Sequence, residues 1–186
     1  MPLFNFDNFT IKDEVIPAEK LASMLEADQS KDLSVQLRDN GYLLLRSVYN
    51  PSDVQAARDE ILKRLAEVGE VAEPISDAIS TGTSERRLHY PNTKELGAFW
   101  KSVSEGSALR RVINGPEITS VMEEIFGEKV THFSFAWLRA MQAGKASPVH
   151  IDHPYMNRGT KNLFTCWCPL GSVGLDEVTL YILENS

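Results

Sequence analysis

Apolar residues in the first two thirds of the chain recur at helical spacing. In "NPSDVQAARDEILKRLAEVGE", five of them fall on one face of a helix: Val54, Ala57, Ile61, Leu65 and Val68. Asn50 can cap this helix, Pro51 suits its first position, and Gly69 is a plausible stop. Two shorter helices are predicted around "KELGAFWKSVSEG" and "PEITSVMEEIFGE", and Gly127 is expected to end the second.

The segments on either side of the clearest helix predict a strand and a loop. "SVQLRDNGYLLLRSV" indicates a helix end, a turn at Asn40 and Gly41, and a buried strand over residues 42–48. Residues 73–95 are polar and rich in turn-forming residues, which predicts a long surface loop of the kind that often covers a site. The first 129 residues are therefore expected to form the helical part.

From residue 130 onward the pattern changes to short β-rich segments separated by Gly, Pro and Asn. The predicted strands are "VTHFSFAWLRAM", "PVHID", "NLFTCWCPLG" and "EVTLYIL". The order of the elements, with helices first and strands last, predicts the α+β class. We expect one domain over residues 1–186, with its β-rich part at residues 130–186. These strands, with the one near Tyr42, are too few for a closed eight-stranded jelly roll, so a partial one is expected.

Composition and charge exclude several function classes. The chain is 42% apolar, and 26 acidic against 19 basic residues give a net charge of −7, which disfavours nucleic-acid binding. The opening "MPLFNFDNFTIKDE" lacks the features of a signal peptide, and no apolar run is long enough for a membrane span. We expect a cytoplasmic protein; no feature specifies an oligomeric state. Cys166 and Cys168 are expected to be buried strand cysteines rather than zinc ligands or a disulfide.

The candidate chemistry lies in "SPVHIDHPYMNRGTKN". On a strand, His150 and Asp152 would share one face, with Cα atoms roughly 6 to 7 Å apart. An imidazole with a carboxylate suits Fe(II), Mn(II) or Zn(II). The alternative interpretation is a surface histidine beside a solvated aspartate. His153 would face away from the pair, and His132 and His89 more often serve as core or surface residues.

The sequence resembles a known family in three places. "LRDNGYLLLRSVYNPSDVQAARDEI", then "HIDHPYMNRGTKNLFTCWCPLG" and "LYILENS", resemble the phytanoyl-CoA dioxygenase family of Fe(II)- and 2-oxoglutarate-dependent oxygenases. The resemblance runs from about Leu37 to the C-terminus. It implies helices packed on a double-stranded β-helix of the jelly-roll or cupin type. It also implies a metal held by a facial triad of two histidines and one carboxylate, which leaves open positions for 2-oxoglutarate and dioxygen. By this resemblance, His150 and Asp152 are two of the three ligands.

Other residues near the motif are candidates for binding the co-substrate. Trp167 stands where the family's strand commonly places an aromatic residue against the co-substrate, although a strand tryptophan is usually core. Arg139, Arg158 and Lys161 are the charged residues nearest the motif that could meet a carboxylate. Arg139 is preferred because alternation from Trp137 would turn it inward.

The resemblance leaves the metal site incomplete. Family members bring the distal histidine, and an arginine that pairs with 2-oxoglutarate, from a late strand that is expected beyond residue 186. "GLDEVTLYILENS" also departs from the family's turn at residues 177–179. We therefore expect a fragment that is catalytically weak alone, from an oxygenase whose small organic or acyl substrate is selected by loops such as residues 73–95.

Two other functions are weighed against the oxygenase. One is a non-catalytic, truncated family member that acts through protein contacts of its helical half. The other is a metal-dependent hydrolase, which is less favoured because its motif would need a histidine where this chain has Pro148.

Overall fold

The computed structural model describes residues 8–11, 14–17, 22–140, 150–156, 159–160, 162–174 and 179–183. For residues 8–11, 14–17 and 153 it describes the backbone alone. The chain divides into two compact units. The first comprises residues 1–46, 124–128 and 141–186, and the second comprises residues 47–123 and 129–140.

The first unit begins with a short hairpin that the sequence patterns did not predict. Strands β1 (Asn8–Ile11) and β2 (Glu14–Pro17) pair antiparallel. Helix α1 (Leu33–Asn40) follows, and the Asp32 side chain accepts hydrogen bonds from the first backbone N–H groups of this helix. Gly41 ends α1 in the left-handed conformation, at φ +76°, which confirms the predicted helix end and turn.

Helix α2 (Pro51–Ala66) forms in the second unit, as predicted. The Asn50 side chain accepts a hydrogen bond from the Ser52 N–H at 3.0 Å, and Pro51 occupies the first turn, where its missing N–H costs nothing. The helix ends at Ala66, three residues before the predicted stop, and Gly69 adopts φ +69° in the turn that follows.

Within the described residues, five further helical segments lie between α2 and residue 127. They are a 3₁₀ turn η1 (Ile75–Asp77), α3 (Arg86–His89), α4 (Thr93–Ser104), α5 (Ser107–Ile113) and α6 (Pro116–Phe126). Helices α4 and α6 confirm the two predicted helices, and Gly127, at φ +67°, follows α6 as expected. Apart from η1 and α3, residues 73–92 form the predicted irregular segment, with one bridge between Val71 and Ser80 at its start. Helix α5 was not predicted.

The core of the second unit comes from α2, α4, α5 and α6 and the turn after α2. Its buried residues are Ala57, Ile61, Leu65, Val68, Phe99, Val103, Leu109, Val112 and Ile118. The Glu60 carboxylate on α2 accepts hydrogen bonds from the N–H groups of Ala108 and Leu109, both at 3.1 Å. Glu60 of α2 thereby caps the N-terminus of α5, where the N-cap residue Gly106 has no side chain to do so.

The prediction of strands at residues 42–48 and from residue 130 onward was wrong for the residues that the structure describes. Residues 42–48 form a single bridge, between Leu44 and Glu26, and the β-rich segments from residue 130 contain no strand among the residues that the structure describes. High β-propensity describes side chains that fit a sheet, but a strand also needs a neighbour that completes its hydrogen bonds. The regular secondary structure in the described part of the chain is mostly helical, whereas the jelly-roll packing stays a prediction. No helix in the described parts of the chain is both long and apolar enough to cross a membrane.

Candidate metal centre

His150 and Asp152 lie side by side in the first unit. The His150 Nε2 atom is 3.2 Å from Asp152 Oδ1, and the side chains are 37% and 27% exposed. The backbone here is irregular rather than the expected strand, and it leads directly into the one-turn helix α7 (His153–Met156). The Asp152 carbonyl accepts a hydrogen bond from the Tyr155 N–H at 2.9 Å. This bond fixes the backbone of Asp152 at the start of α7.

The second carboxylate oxygen of Asp152 has a different partner. The Thr165 hydroxyl donates a hydrogen bond to Asp152 Oδ2 at 2.8 Å. One oxygen therefore faces the imidazole, and the other is held by a neutral donor thirteen residues further along the chain. The sequence patterns did not single out Thr165, because a threonine in a β-rich segment carries no signal of its own.

The donor pair fits a borderline divalent cation. Two ligands at right angles around an ion, each bound at about 2.1 Å, have donor atoms roughly 3 Å apart. The 3.2 Å between His150 Nε2 and Asp152 Oδ1 is close to that separation, and it is also the distance of a direct ion pair between the two side chains. An imidazole nitrogen and a carboxylate oxygen form the mixed donor set that Fe(II), Mn(II) and Zn(II) accept. Within the described residues, no third His, Cys, Asp or Glu joins the pair to form a group of three.

The other histidines with described side chains have local partners. His132 Nε2 lies 2.9 Å from the Thr119 hydroxyl in a partly buried setting in the second unit. His89 Nε2 lies 3.4 Å from Glu85 Oε2, four residues earlier in the chain. The side chain of His153 lies outside the described residues. These contacts agree with the structural roles that the sequence favoured for His132 and His89.

The two predicted co-substrate residues are both exposed. Trp167, in the first unit, is 49% exposed. Arg139, in the second unit, places its guanidinium carbon 4.3 Å from the ring centroid of Trp137, and both side chains are exposed. The expected inward orientation of Arg139 is therefore wrong, because cation–π stacking on an exposed ring holds it at the surface. Arg158 and Lys161 lie outside the described residues.

The two cysteines lie on the segment that carries Thr165 and are not joined in a disulfide. Cys168 is half-buried, but Cys166 is exposed, so the burial predicted for Cys166 is wrong. Loss of solvation around the thiol, with a smaller effect from the neighbouring Cys168, raises the pKa of Cys166 to about 11. The residue as a whole is exposed, while its sulfur is poorly solvated. Phe164, next to Thr165, packs on Phe126 with ring centroids 5.4 Å apart.

Comparison with known proteins identifies the family. No curated protein and no solved structure matches the chain significantly. The family model of phytanoyl-CoA dioxygenase, however, matches residues 37–180, which is most of the 186-residue chain and includes His150, Asp152 and Thr165. The family consists of Fe(II)- and 2-oxoglutarate-dependent oxygenases and implies a cupin-like fold. On this match, the chain belongs to the phytanoyl-CoA dioxygenase family.

Proposed function

We propose that the protein is an Fe(II)- and 2-oxoglutarate-dependent oxygenase that hydroxylates a small organic or acyl substrate. The observation that carries this proposal is the 3.2 Å pair of His150 and Asp152 within the family-matched region. In this proposal, the neutral imidazole and the carboxylate are two iron ligands. When bound, iron with 2-oxoglutarate and dioxygen supplies the oxidising power for hydroxylation of a C–H bond.

The residues of the chain supply binding and orientation in this proposal. Asp152 offers a negative charge that offsets the charge of the cation, and His150 adds a nitrogen donor. Trp167, in the same unit as the metal pair, is proposed to contact 2-oxoglutarate through its ring. The exposure of Trp167 leaves its ring accessible to a ligand. An ion pair of Arg139 with a carboxylate stays a prediction from the sequence.

The site is proposed to be incomplete in this chain. A family triad needs a third ligand, and the described residues place no such group beside the pair. With two protein ligands, most coordination positions would be filled by water, so affinity for the metal and positioning of the co-substrate would both be weak. Robust turnover by the 186-residue chain would show that it already contains a third ligand, such as His153.

Metal binding and turnover together test this function. Titration with Mn(II), and with Fe(II) under anaerobic conditions, should show binding by the parent that His150→Ala and Asp152→Ala each reduce at least tenfold. The His89→Ala variant is the matched control, because it removes an imidazole that is already paired with Glu85. Succinate formation from 2-oxoglutarate, even if slow, should disappear with His150→Ala. Equal succinate formation by the parent and by His150→Ala would contradict the assignment of His150 as an iron ligand.

The non-catalytic alternative has one observation in its favour. The absence of a third ligand among the described residues is what a family member that has lost its iron would show. Failure of the parent to bind either metal, together with intact folding, would favour this alternative over the oxygenase.

A further inference from the structure

The carboxylate of Asp152 is held asymmetrically. Its Oδ1 atom faces His150 Nε2 at 3.2 Å, and its Oδ2 atom accepts a hydrogen bond from the Thr165 hydroxyl at 2.8 Å. We propose that Thr165 is a positioning residue that fixes the Asp152 carboxylate so that it presents only Oδ1 to a divalent cation shared with His150. This inference rests on the proposed function, because it concerns the same metal site.

The need for such a residue follows from the chemistry of an aspartate ligand. The terminal torsion of Asp is broad and roughly two-fold, so a free carboxylate can present either oxygen, or both, to a cation. A hydroxyl that donates to one oxygen restrains this torsion and competes with a cation for that oxygen. At 2.8 Å, the contact between Thr165 and Asp152 is within the normal range for O–H···O bonds.

The position of Thr165 in the chain fits this role. Its neighbour Phe164 packs on Phe126, with ring centroids 5.4 Å apart, while Thr165 itself reaches Asp152. The aromatic contact holds the segment in place, and the next side chain uses that position to contact the carboxylate. Because Thr165 is exposed, its removal leaves no buried cavity, so its hydroxyl can be tested separately from packing.

The expected size of the effect follows from known metal sites. Residues that hold a metal ligand by hydrogen bonding typically change metal affinity by about 10- to 100-fold when they are replaced. Thr165→Val keeps the shape of the side chain and removes the donor, whereas Thr165→Ser keeps the donor. The proposal therefore predicts weakened binding in the valine variant and binding within about threefold of the parent in the serine variant.

The experiment is a titration of the full chain with Mn(II), with Co(II) absorption as a second readout. The Co(II) spectrum responds to coordination number, so a carboxylate that becomes bidentate in Thr165→Val should change it, whereas a merely structural role would not. Thr160→Val is the matched control, because it removes an exposed hydroxyl in the same region that contacts the Asn162 N–H rather than Asp152. Thermal unfolding of each variant verifies that it folds.

The outcomes separate this inference from the proposed function. Loss of binding in Thr165→Val with rescue in Thr165→Ser, and an altered Co(II) spectrum in the valine variant, would support it. Parent-like Mn(II) affinity and Co(II) spectrum in Thr165→Val, while His150→Ala has lost binding, would overturn the role of Thr165 and leave the metal site standing. No Mn(II) binding by the folded parent would overturn both.

Discussion

At the scale of single residues, Arg111 joins two carboxylates in the second unit, those of Asp53 and Glu117. Its guanidinium donates two hydrogen bonds to the Glu117 carboxylate, one of them at 2.7 Å, and one of its nitrogens lies 3.1 Å from Asp53 Oδ2. The hydrogen bonds from Arg111 lower the pKa of Glu117 from 4.5 to about 2. Conversely, the Glu117 hydrogen bonds raise the pKa of the Arg111 guanidinium above its ordinary value.

This pair predicts a specific acid sensitivity. Because the folded-state pKa of Glu117 lies below its ordinary value, the stabilisation is fully present above about pH 4.5 and is lost as the pH falls towards 2. We expect Glu117→Gln to lower the free energy of unfolding at pH 7 and to flatten its decline between pH 4.5 and 2. Urea unfolding across that range measures both effects. Glu128→Gln, at an exposed position, is the control, and an unchanged slope in Glu117→Gln would contradict the prediction.

Cys166 should react slowly with thiol reagents in spite of its exposure. The thiolate is the reactive form, and a pKa of about 11 leaves very little of it at neutral pH. In the Cys168→Ser variant, the alkylation rate of Cys166 by iodoacetamide should keep rising with pH well beyond 9. The same measurement on a denatured sample supplies the reference rate. A folded protein that reacts as fast as the denatured chain at pH 7.5 would show that the thiol is well solvated.

At the scale of elements, the contact between α2 and α5 depends on a glycine. A Cβ at Gly106 would overlap the Glu60 carboxylate, which caps α5 through Ala108 and Leu109. The glutamate side chain can move aside, so the cost of Gly106→Ala is the loss of these two hydrogen bonds. We expect this variant to lose about 0.5 to 2 kcal/mol in the free energy of unfolding, as measured in urea.

A double-mutant cycle distinguishes this mechanism from a general effect of alanine. Once Glu60→Ala has removed the carboxylate, Gly106→Ala should cost little more, so the two changes should not add. Gly97→Ala is the matched control, because that glycine lies within α4 and its added Cβ would meet nothing within 4 Å. It should stabilise the protein by about 0.5 to 1 kcal/mol through helix propensity. Additive costs at Gly106 and Glu60 would contradict the proposed contact.

The elements that the sequence predicted are those with local signals. Asn50 and Pro51 define the start of α2 within two residues, and Gly127 marks the end of α6. Helix α5 was missed because the carboxylate that caps it belongs to Glu60, 48 residues before Ala108. The strand predictions were wrong for the same reason, because β-propensity is a local property, whereas the strand that would pair with each segment is distant in sequence.

The same distinction applies to the candidate site. The spacing of His150 and Asp152 indicated a shared partner, and the structure places their donor atoms 3.2 Å apart, although on irregular backbone. Thr165 could not be predicted, because its contact with Asp152 closes a loop of thirteen residues whose path no local pattern specifies. The orientation of Arg139 was also wrong, because alternation assumed a strand with a buried face.

At the scale of the whole molecule, large apolar side chains remain exposed in both units. In the second unit they are Phe133, Phe135 and Trp137, at 51%, 66% and 51% exposure. In the first unit they include Phe164, Trp167 and four consecutive residues at 180–183. Clusters of this kind on one surface commonly mark contact sites or cause association.

We therefore expect the 186-residue chain to associate in a concentration-dependent manner. Phe133→Glu and Phe135→Glu together should shift the protein towards the monomer, because they place two charges within an exposed apolar segment. Size-exclusion chromatography with light scattering over a range of concentrations measures the shift. Leu88→Glu is the control, since Leu88 is 80% exposed but lies on the separate one-turn helix α3. A parent chain that stays monomeric at all concentrations would contradict this prediction.

The Glu60 cap has a consequence for the order in which the chain folds. A seven-residue helix is too short to persist alone, and Gly106 gives α5 no side-chain cap of its own. Helix α5 should therefore become stable only after α2 has formed and presents its carboxylate. The amide protons of Ala108 and Leu109 would then exchange with solvent whenever α2 opens, and their protection would report the integrity of a helix to which they do not belong.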